Sequence, residues 1–318
     1  MSRAASPRTP RSPRRTSPSR RRPAPRRVLV TGADSLIGTH VLQRLLAASY
    51  EVVGVTHRRT DDHIPPGVIR VVAERASPAW GDWAAGCCAA VHVGPGLGER
   101  PSDDGGCRGV GAGDTAALLA ACQRQGISRV VLVSCLGAAA HAASARQRAA
   151  WAAEQVLRDG PTATTVLRPA WLAAPGPSLL ARLVDAVQAG RPIFAYGGGR
   201  YPLQTVGAGD VARAVEHCLD DSDTAGHTFD LAGGDGMPFI EMVRRTAAGV
   251  RQRSRIIVIP RRFSLPLVSF LQHRSNALLT RDELLALWAG TTVDSAPGQK
   301  AFGPLSSGLD PAEESPCT

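Results

Sequence analysis

From Val28 onward, apolar positions recur in two periods. Short runs rich in β-branched residues alternate with stretches whose apolar residues return every three or four positions. This pattern predicts strands over 28–31, 51–56, 68–72, 89–93, 129–134 and 164–167. Helices are predicted between them, over 36–47, 80–85, 114–124 and 143–158. Gly126 and the pair Asp159-Gly160 supply stops for the last two helices. Short strands alternating with helices of about a dozen residues imply right-handed βαβ units and a parallel sheet.

After Pro169 the rhythm changes. Ala173-Ala174-Pro175-Gly176-Pro177 is a cluster of breakers. Helices are predicted over 178–189, 210–219, 238–248, 262–272 and 281–289, and strands over 193–196, 204–206, 228–231 and 255–259. Asp210 stands at a helix start and reads as an N-cap. This second half predicts a smaller lobe, about 173–302, closing over the carboxyl edge of the sheet. Ligands bind at that edge in open α/β folds. Residues 303–318 turn polar and acidic, and are expected to fray.

Charge changes the picture only when it is located. The chain of 318 residues carries a formal net charge of +10. Ten of its 37 basic residues lie in 1–27, which hold no acid, so the remaining 27 bases balance the 27 acids. The globular part thus gives no electrostatic reason to bind nucleic acid, which leaves residues 1–27 as the one segment suited to it. That segment is Arg, Pro and Ser, too poor in apolar residues to build a core, and is expected to be disordered. A solvated extension, a start codon assigned too far upstream, phosphorylation at its Ser-Pro and Thr-Pro pairs, and contact with an anionic surface all fit it. Its six prolines argue against the amphipathic helix of a transit peptide. No stretch approaches the roughly 18 apolar residues of a membrane span. Seven cysteines, none at a C-x-x-C spacing, suggest neither zinc nor a redox pair and fit a reducing, cytoplasmic setting. No metal-ligand spacing, Gly-x-Ser-x-Gly elbow or Walker loop occurs.

The candidate chemistry begins in the first turn. The segment Thr31-Gly32-Ala33-Asp34-Ser35-Leu36-Ile37-Gly38 joins a predicted strand to a predicted helix. Gly32 permits a tight turn, Gly38 lets the helix pack close, and the free amides of the helix start suit a pyrophosphate. Ser35 replaces the middle glycine of the usual loop. An ordinary βα turn without a ligand is the competing reading of this segment taken alone.

Further segments follow in order. They are Ala84-Ala85-Gly86-Cys87-Cys88-Ala89-Ala90-Val91-His92-Val93, Gly126-Ile127-Ser128-Arg129-Val130-Val131-Leu132-Val133-Ser134, Leu167-Arg168-Pro169, Val206-Gly207-Ala208-Gly209-Asp210-Val211-Ala212 and Leu279-Thr280-Arg281-Asp282-Glu283-Leu284. Together with the Gly loop, they resemble the short-chain dehydrogenase/reductase superfamily over about 28–310. The resemblance is greatest to its atypical branch of NmrA-like proteins and the NADPH-binding accessory subunit of respiratory complex I. It implies a Rossmann-type doubly wound α/β fold with a smaller C-terminal substrate lobe, residues 28–302 in all, and a dinucleotide ligand. Thr31, Gly32, Asp34, Ser35, Leu36, Ile37, Gly38, Val93, Gly94, Pro95 and Ser134 are the implied contacts.

His57-Arg58-Arg59 follows the second strand, where relatives that prefer NAD carry an acid for the ribose diol. The basic pair favours NADP(H) over NAD(H), with ordinary surface arginines as the alternative. His92 reads as a packed strand residue. The family's hydride chemistry uses a Tyr-x-x-x-Lys pair with a Ser or Thr. Aligning the helix on Ala153-Glu154-Gln155-Val156-Leu157-Arg158 sets Arg146 at the tyrosine and Ala150 at the lysine. Leu136 then takes the Ser/Thr position, and Gly111 that of an asparagine. Lys300 is the chain's only lysine, so no such pair exists. Ser134, Cys135 and His141 remain as substitutes. The resulting expectation is an NAD(P)-binding protein whose cofactor serves structure or sensing. Two alternatives stay open: an oxidoreductase or epimerase with a non-standard acid/base, and an anionic-surface or nucleic-acid binder acting through the basic tail. A small-molecule ligand in the cleft of the C-terminal lobe is also expected, and Tyr196–Tyr201 reads either as its gate or as a simple turn.

Overall fold

The computed structural model describes residues 26–56, 64–73, 80–94, 111–176, 178–274, 276–290 and 292–308. The first half runs β1 (Arg27–Thr31), α1 (Leu36–Ala47), β2 (Glu51–Thr56), β3 (Ile69–Val72), α2 (Trp80–Ala84), β4 (Ala89–Val93), α3 (Ala112–Arg124), β5 (Arg129–Val133), α4 (Ala145–Arg158) and β6 (Ala163–Pro169). It continues with β7 (Trp171–Ala173), α5 (Leu179–Gln188), β8 (Ile193–Tyr196), β9 (Pro202–Leu203), β10 (Thr205–Gly207), α6 (Ala208–Asp220) and β11 (Thr228–Leu231). The last elements are β12 (Met237–Pro238), α7 (Phe239–Gly249), β13 (Ile256–Ile259), α8 (Arg261–Leu271), α9 (Arg281–Trp288) and α10 (Ala296–Phe302).

Seven strands form one parallel sheet in the order β11-β6-β5-β4-β1-β2-β3. The period of two in each strand sends alternate side chains to opposite faces. Val28, Val30, Val52 and Val91 pack on α1 and α6 through Val41, Leu42, Leu45, Val211 and Val215. Leu29, Val53, Val130 and Leu132 face the other way, onto Trp80, Leu118, Cys122, Ala153 and Leu157 of α2, α3 and α4. Burying one such leucine or valine contributes about 1.5–3 kcal/mol. With both faces covered, the sheet has the expected Rossmann-type doubly wound architecture. Strand order reverses between β1 and β4, and the crevice beyond their carboxyl ends is the natural ligand site.

A second apolar cluster joins α5, β8, α7, α8 and α9 around Leu183, Ile193, Phe239, Val243, Val268 and Leu284. Three two-stranded sheets accompany it, β10 with β7, β12 with β9 and β13 with β8. Two expectations are corrected. Gly207, not Asp210, is the N-cap of α6. Asp210 lies inside the first turn, where a carboxylate suits the helix dipole. Its Oδ2 accepts from the Ser306 amide at 2.7 Å and the Ser306 hydroxyl at 2.6 Å. Residues 303–308 therefore do not fray. Leu305 is buried, and the Ser306 carbonyl accepts from the Gly207 amide at 3.1 Å.

Candidate functional site

The loop after β1 is built from backbone. Gly32 turns the chain with φ +64°, a region that penalises a Cβ. A Cβ on Gly38 would stand 2.1 Å from the Gly32 carbonyl oxygen, so only glycine lets α1 begin this close to β1. Ser35 is the N-cap, its Oγ accepting from the Gly38 amide at 2.9 Å. This is the local reason for serine where a third glycine is usual, since its side chain satisfies one amide of the first turn. The Leu36 and Ile37 side chains are buried in the core, so these two residues offer a ligand their backbone alone. No acceptor among the described residues meets the Ile37 amide. Asp34 lies half-buried in the turn. An open amide at the positive end of a helix, beside a glycine turn at the β1/β4 crevice, fits a pyrophosphate group.

Thr31 faces the other way. It pairs in register with His92 of β4, and its Oγ1 lies 2.7 Å from His92 Nδ1. His92 Nε2 is 3.0 Å from Thr115 Oγ1, whose own proton goes to the Gly111 carbonyl. Nε2–H therefore donates to Thr115, and Nδ1 accepts from Thr31. His92 is a buried strand residue, as its sequence context indicated, and it ties the end of β1 to the start of α3. Gly111 is the N-cap of α3 without a side chain to contribute. Val93 is buried at the end of β4, and the Gly94 amide donates to the Val133 carbonyl at 2.7 Å.

The face of α4 turned to the sheet carries Arg146, Gln147, Ala150, Ala153, Glu154 and Leu157, all buried. Spacings of three and four place them on one stripe. Glu154 is the residue that sequence reasoning missed. Its Oε1 accepts from Ser134 Oγ at 2.6 Å and from Arg168 Nε at 2.9 Å, and its Oε2 pairs with an Arg168 amino group at 2.5 Å. That pair holds the Arg168 proton more firmly than usual, against the opposing effect of burial. The available signal was a lone acid on the inward stripe of a helix that precedes an Arg-Pro strand end. Leu136 is buried, and its carbonyl accepts from Gln147 Nε2 at 3.0 Å. Asp282 of α9 sits at the start of α4, accepting from the Ala145 amide at 2.6 Å and from Ser144 Oγ at 2.8 Å. Its Oδ2 is 3.9 Å from Arg146 Nε.

Burial pushes the Cys135 thiol up to about 12, which disfavours the nucleophilic thiolate. His141 is exposed in the loop before α4. Tyr196 is buried, and Tyr201 stacks on Phe239 with ring centroids 5.6 Å apart. The two tyrosines thus anchor the Tyr196–Tyr201 segment as a turn against α7. His57, Arg58, Arg59 and Pro95 lie outside the described residues. Among the described residues, no group of three or more His, Cys, Asp or Glu is placed to hold a metal, and no helix is long and apolar enough to cross a membrane.

The sheet order, the glycine turn and the helix start at the β1/β4 crevice define a dinucleotide-binding protein of the atypical short-chain dehydrogenase/reductase type. The chain belongs to the NAD dependent epimerase/dehydratase family, whose model matches residues 28–232. It is 31% identical over 143 residues to the NADH dehydrogenase [ubiquinone] 1 alpha subcomplex subunit 9, mitochondrial, of Arabidopsis thaliana, a match covering 45% of this chain and 36% of that protein. The chain thus spans about a third of that relative's length. In fold it is similar to the NADPH-dependent quinone oxidoreductase QOR2 of Escherichia coli complexed with NADPH, with a TM-score of 0.70 and 16% identity over 89% of this chain and 97% of that one. It is also similar to MoeE5 in complex with UDP-glucuronic acid and NAD, with a TM-score of 0.67 and 22% identity over 89% and 96%.

Proposed function

We propose that this chain binds NADP(H) in preference to NAD(H) and holds it for structure or sensing, without hydride turnover through a Tyr-Lys pair. The observation that carries this reading is the inward stripe of α4. It presents Arg146, Ala150 and Glu154, with no tyrosine and no lysine. Arg146 and Ala150 stand at the proposed tyrosine and lysine positions. A guanidinium does not give up a proton near neutral pH. Ser134, the remaining hydroxyl at the strand end, is committed to Glu154. Leu136 and Gly111 bring no donor side chain to the other two proposed positions. Losing a tuned proton donor costs roughly 10²–10⁴ in rate.

The residues that would hold the dinucleotide are Gly32, Asp34, Ser35, Leu36, Ile37 and Gly38, with Thr31 and Ser134 bounding the site and Val93, Gly94 and Pro95 along the adenosine. Arg58 and Arg59 would neutralise a ribose 2′-phosphate, with His57 as a further contact. A bound nicotinamide supplies hydride exchange, and any acid or base for it must come from this chain. A ligand that binds only the folded state stabilises it by about 2.7 kcal/mol at a hundredfold excess over its Kd. A second, small-molecule ligand in the cleft of the C-terminal lobe completes this reading, since ligands of open α/β folds bind at the carboxyl edge of the sheet. Free Cys87, Cys88, Cys122, Cys135 and Cys218 support a cytoplasmic setting.

The test combines two arms. Replacing Arg58 and Arg59 with Ala should weaken NADPH more than NADH, and equal weakening contradicts the cofactor preference. Deuterium-labelled NADPH incubated with a carbonyl panel should transfer no label. Label in any product supports an oxidoreductase with a non-standard acid/base instead.

A further inference from the structure

Pro260 alone separates β13 from α8, and the two elements carry an unusual share of exposed apolar side chains. Among the described residues, the large apolar side chains left exposed are Ile69, Val72, Val258, Phe263 and Phe270. Three of the five fall within residues 258–270. Helix α8 buries Ser264 and Val268 against the protein. Phe263, Pro266 and Phe270, spaced three and four apart, lie on the opposite face. Phe263 is 53% exposed and Phe270 72%. A helix facing only water would carry charged residues there.

The segment that carries these apolar groups bears charge of one sign. Between Glu241 and Asp282 the sequence has nine arginines and no acid. Arg251, Arg253, Arg255, Arg261, Arg262 and Arg274 are exposed. Arg262 lies 4.7 Å over the Phe263 ring, and Arg261 lies 4.6 Å over that of Trp288. A guanidinium group thus stands against the exposed Phe263 ring, and a second against Trp288 at the next helix.

The occupant must accept projecting apolar side chains and supply negative charge. A second copy in a two-fold contact would set these arginines against themselves. A nucleic acid would pair with the arginines but gains nothing from Val258 and Pro266. An anionic bilayer meets both demands, because its headgroups take the arginines and its acyl boundary takes the phenylalanines. We propose that β13 and α8 form a docking surface for anionic lipid bilayers, with Phe263 and Phe270 entering the interface and the exposed arginines pairing with lipid phosphates. The protein then lies on the membrane without crossing it. This inference is independent of the cofactor reading.

Vesicle co-sedimentation of the full chain tests it, with phosphatidylcholine vesicles prepared with and without phosphatidylglycerol. The expected result is binding to the anionic vesicles alone, weakened by added salt. The variant Phe263→Ser/Phe270→Ser should lose at least about tenfold in affinity, from the apolar burial removed. Should that variant fail to fold, Arg253→Gln/Arg255→Gln, which alters only exposed side chains, should weaken binding and flatten its salt dependence. Absence of vesicle binding overturns the proposal. Undiminished binding by the phenylalanine variant also overturns it, since the basic segment 1–27 would then be the attachment. A concentration-dependent dimer without vesicle binding overturns it in favour of a second copy.

Discussion

Ser134 Oγ donates a 2.6 Å hydrogen bond to Glu154 Oε1, joining the end of β5 to the inward stripe of α4. Arg168, in the strand next to β5, closes the link through two further bonds to the same carboxylate. The Ser134 hydroxyl hydrogen is thereby engaged by a carboxylate inside the protein. Removing Glu154 leaves the half-buried Arg168 guanidinium without its partner. Glu154→Ala should cost about 3–5 kcal/mol, a fall in Tm on the order of 10 °C. Glu154→Gln keeps an acceptor for Ser134 and should cost less. Thermal denaturation followed by circular dichroism checks the ranking. Equal, small losses in both variants would show that the link does not carry stability.

Asp230 gives a pH-dependent prediction. Burial raises its carboxyl, against the pull of Arg168, and its Oδ1 has no hydrogen-bond partner. The folded chain therefore holds this proton more firmly than the unfolded chain. The stability this provides is complete below the ordinary aspartate range and is lost as pH rises through the raised folded value. At neutral pH the ionised group is a burden. Asp230→Asn should have a higher Tm than wild type at pH 7, with the difference closing as the pH falls below the ordinary range. A difference that grows on acidification would reverse the sign of this argument.

Thiol reactivity separates the cysteines. Cys88 is exposed, whereas burial raises Cys87, Cys122 and Cys218 to about 11 and Cys135 to about 12. The thiolate is the reactive form. Peptide mapping after brief treatment with iodoacetamide should find Cys88 labelled before these four. Early labelling of Cys135 would contradict its place in the core and return it as a candidate nucleophile.

The seven strands of the sheet and the helices covering it were legible because each repeats its period over enough residues. Leu29 alternating with Val28 and Val30 is one such signal, and Val41, Leu42 and Leu45 on one face of α1 is another. The strands β7, β9 and β12 were not legible as they stand, being two or three residues long, too short to show a period. Their pairing is imposed by the fold. Helix α10, Ala-Pro-Gly-Gln-Lys-Ala-Phe, carries no apolar stripe to announce it. The polar composition after 303 concealed Leu305 and Ser306, whose partners lie near Asp210, almost a hundred residues earlier. The glycine loop was readable from Gly32, Ser35 and Gly38 because its geometry is local. The Ser134–Glu154–Arg168 link was not, because it joins three elements whose proximity only the sheet order creates.

The central claim is that the loop from Gly32 to Gly38 holds a dinucleotide. Equilibrium titration of the purified chain with NADPH and with NADH, repeated on Gly38→Ala, tests it most directly. The added methyl would meet the Gly32 carbonyl at 2.1 Å, so the turn must open. The predicted result is saturable binding of both nucleotides, tighter for NADPH, and loss of both in a Gly38→Ala protein that still melts cooperatively. Binding of neither nucleotide by the wild-type chain, or undiminished binding by that variant, would contradict the claim.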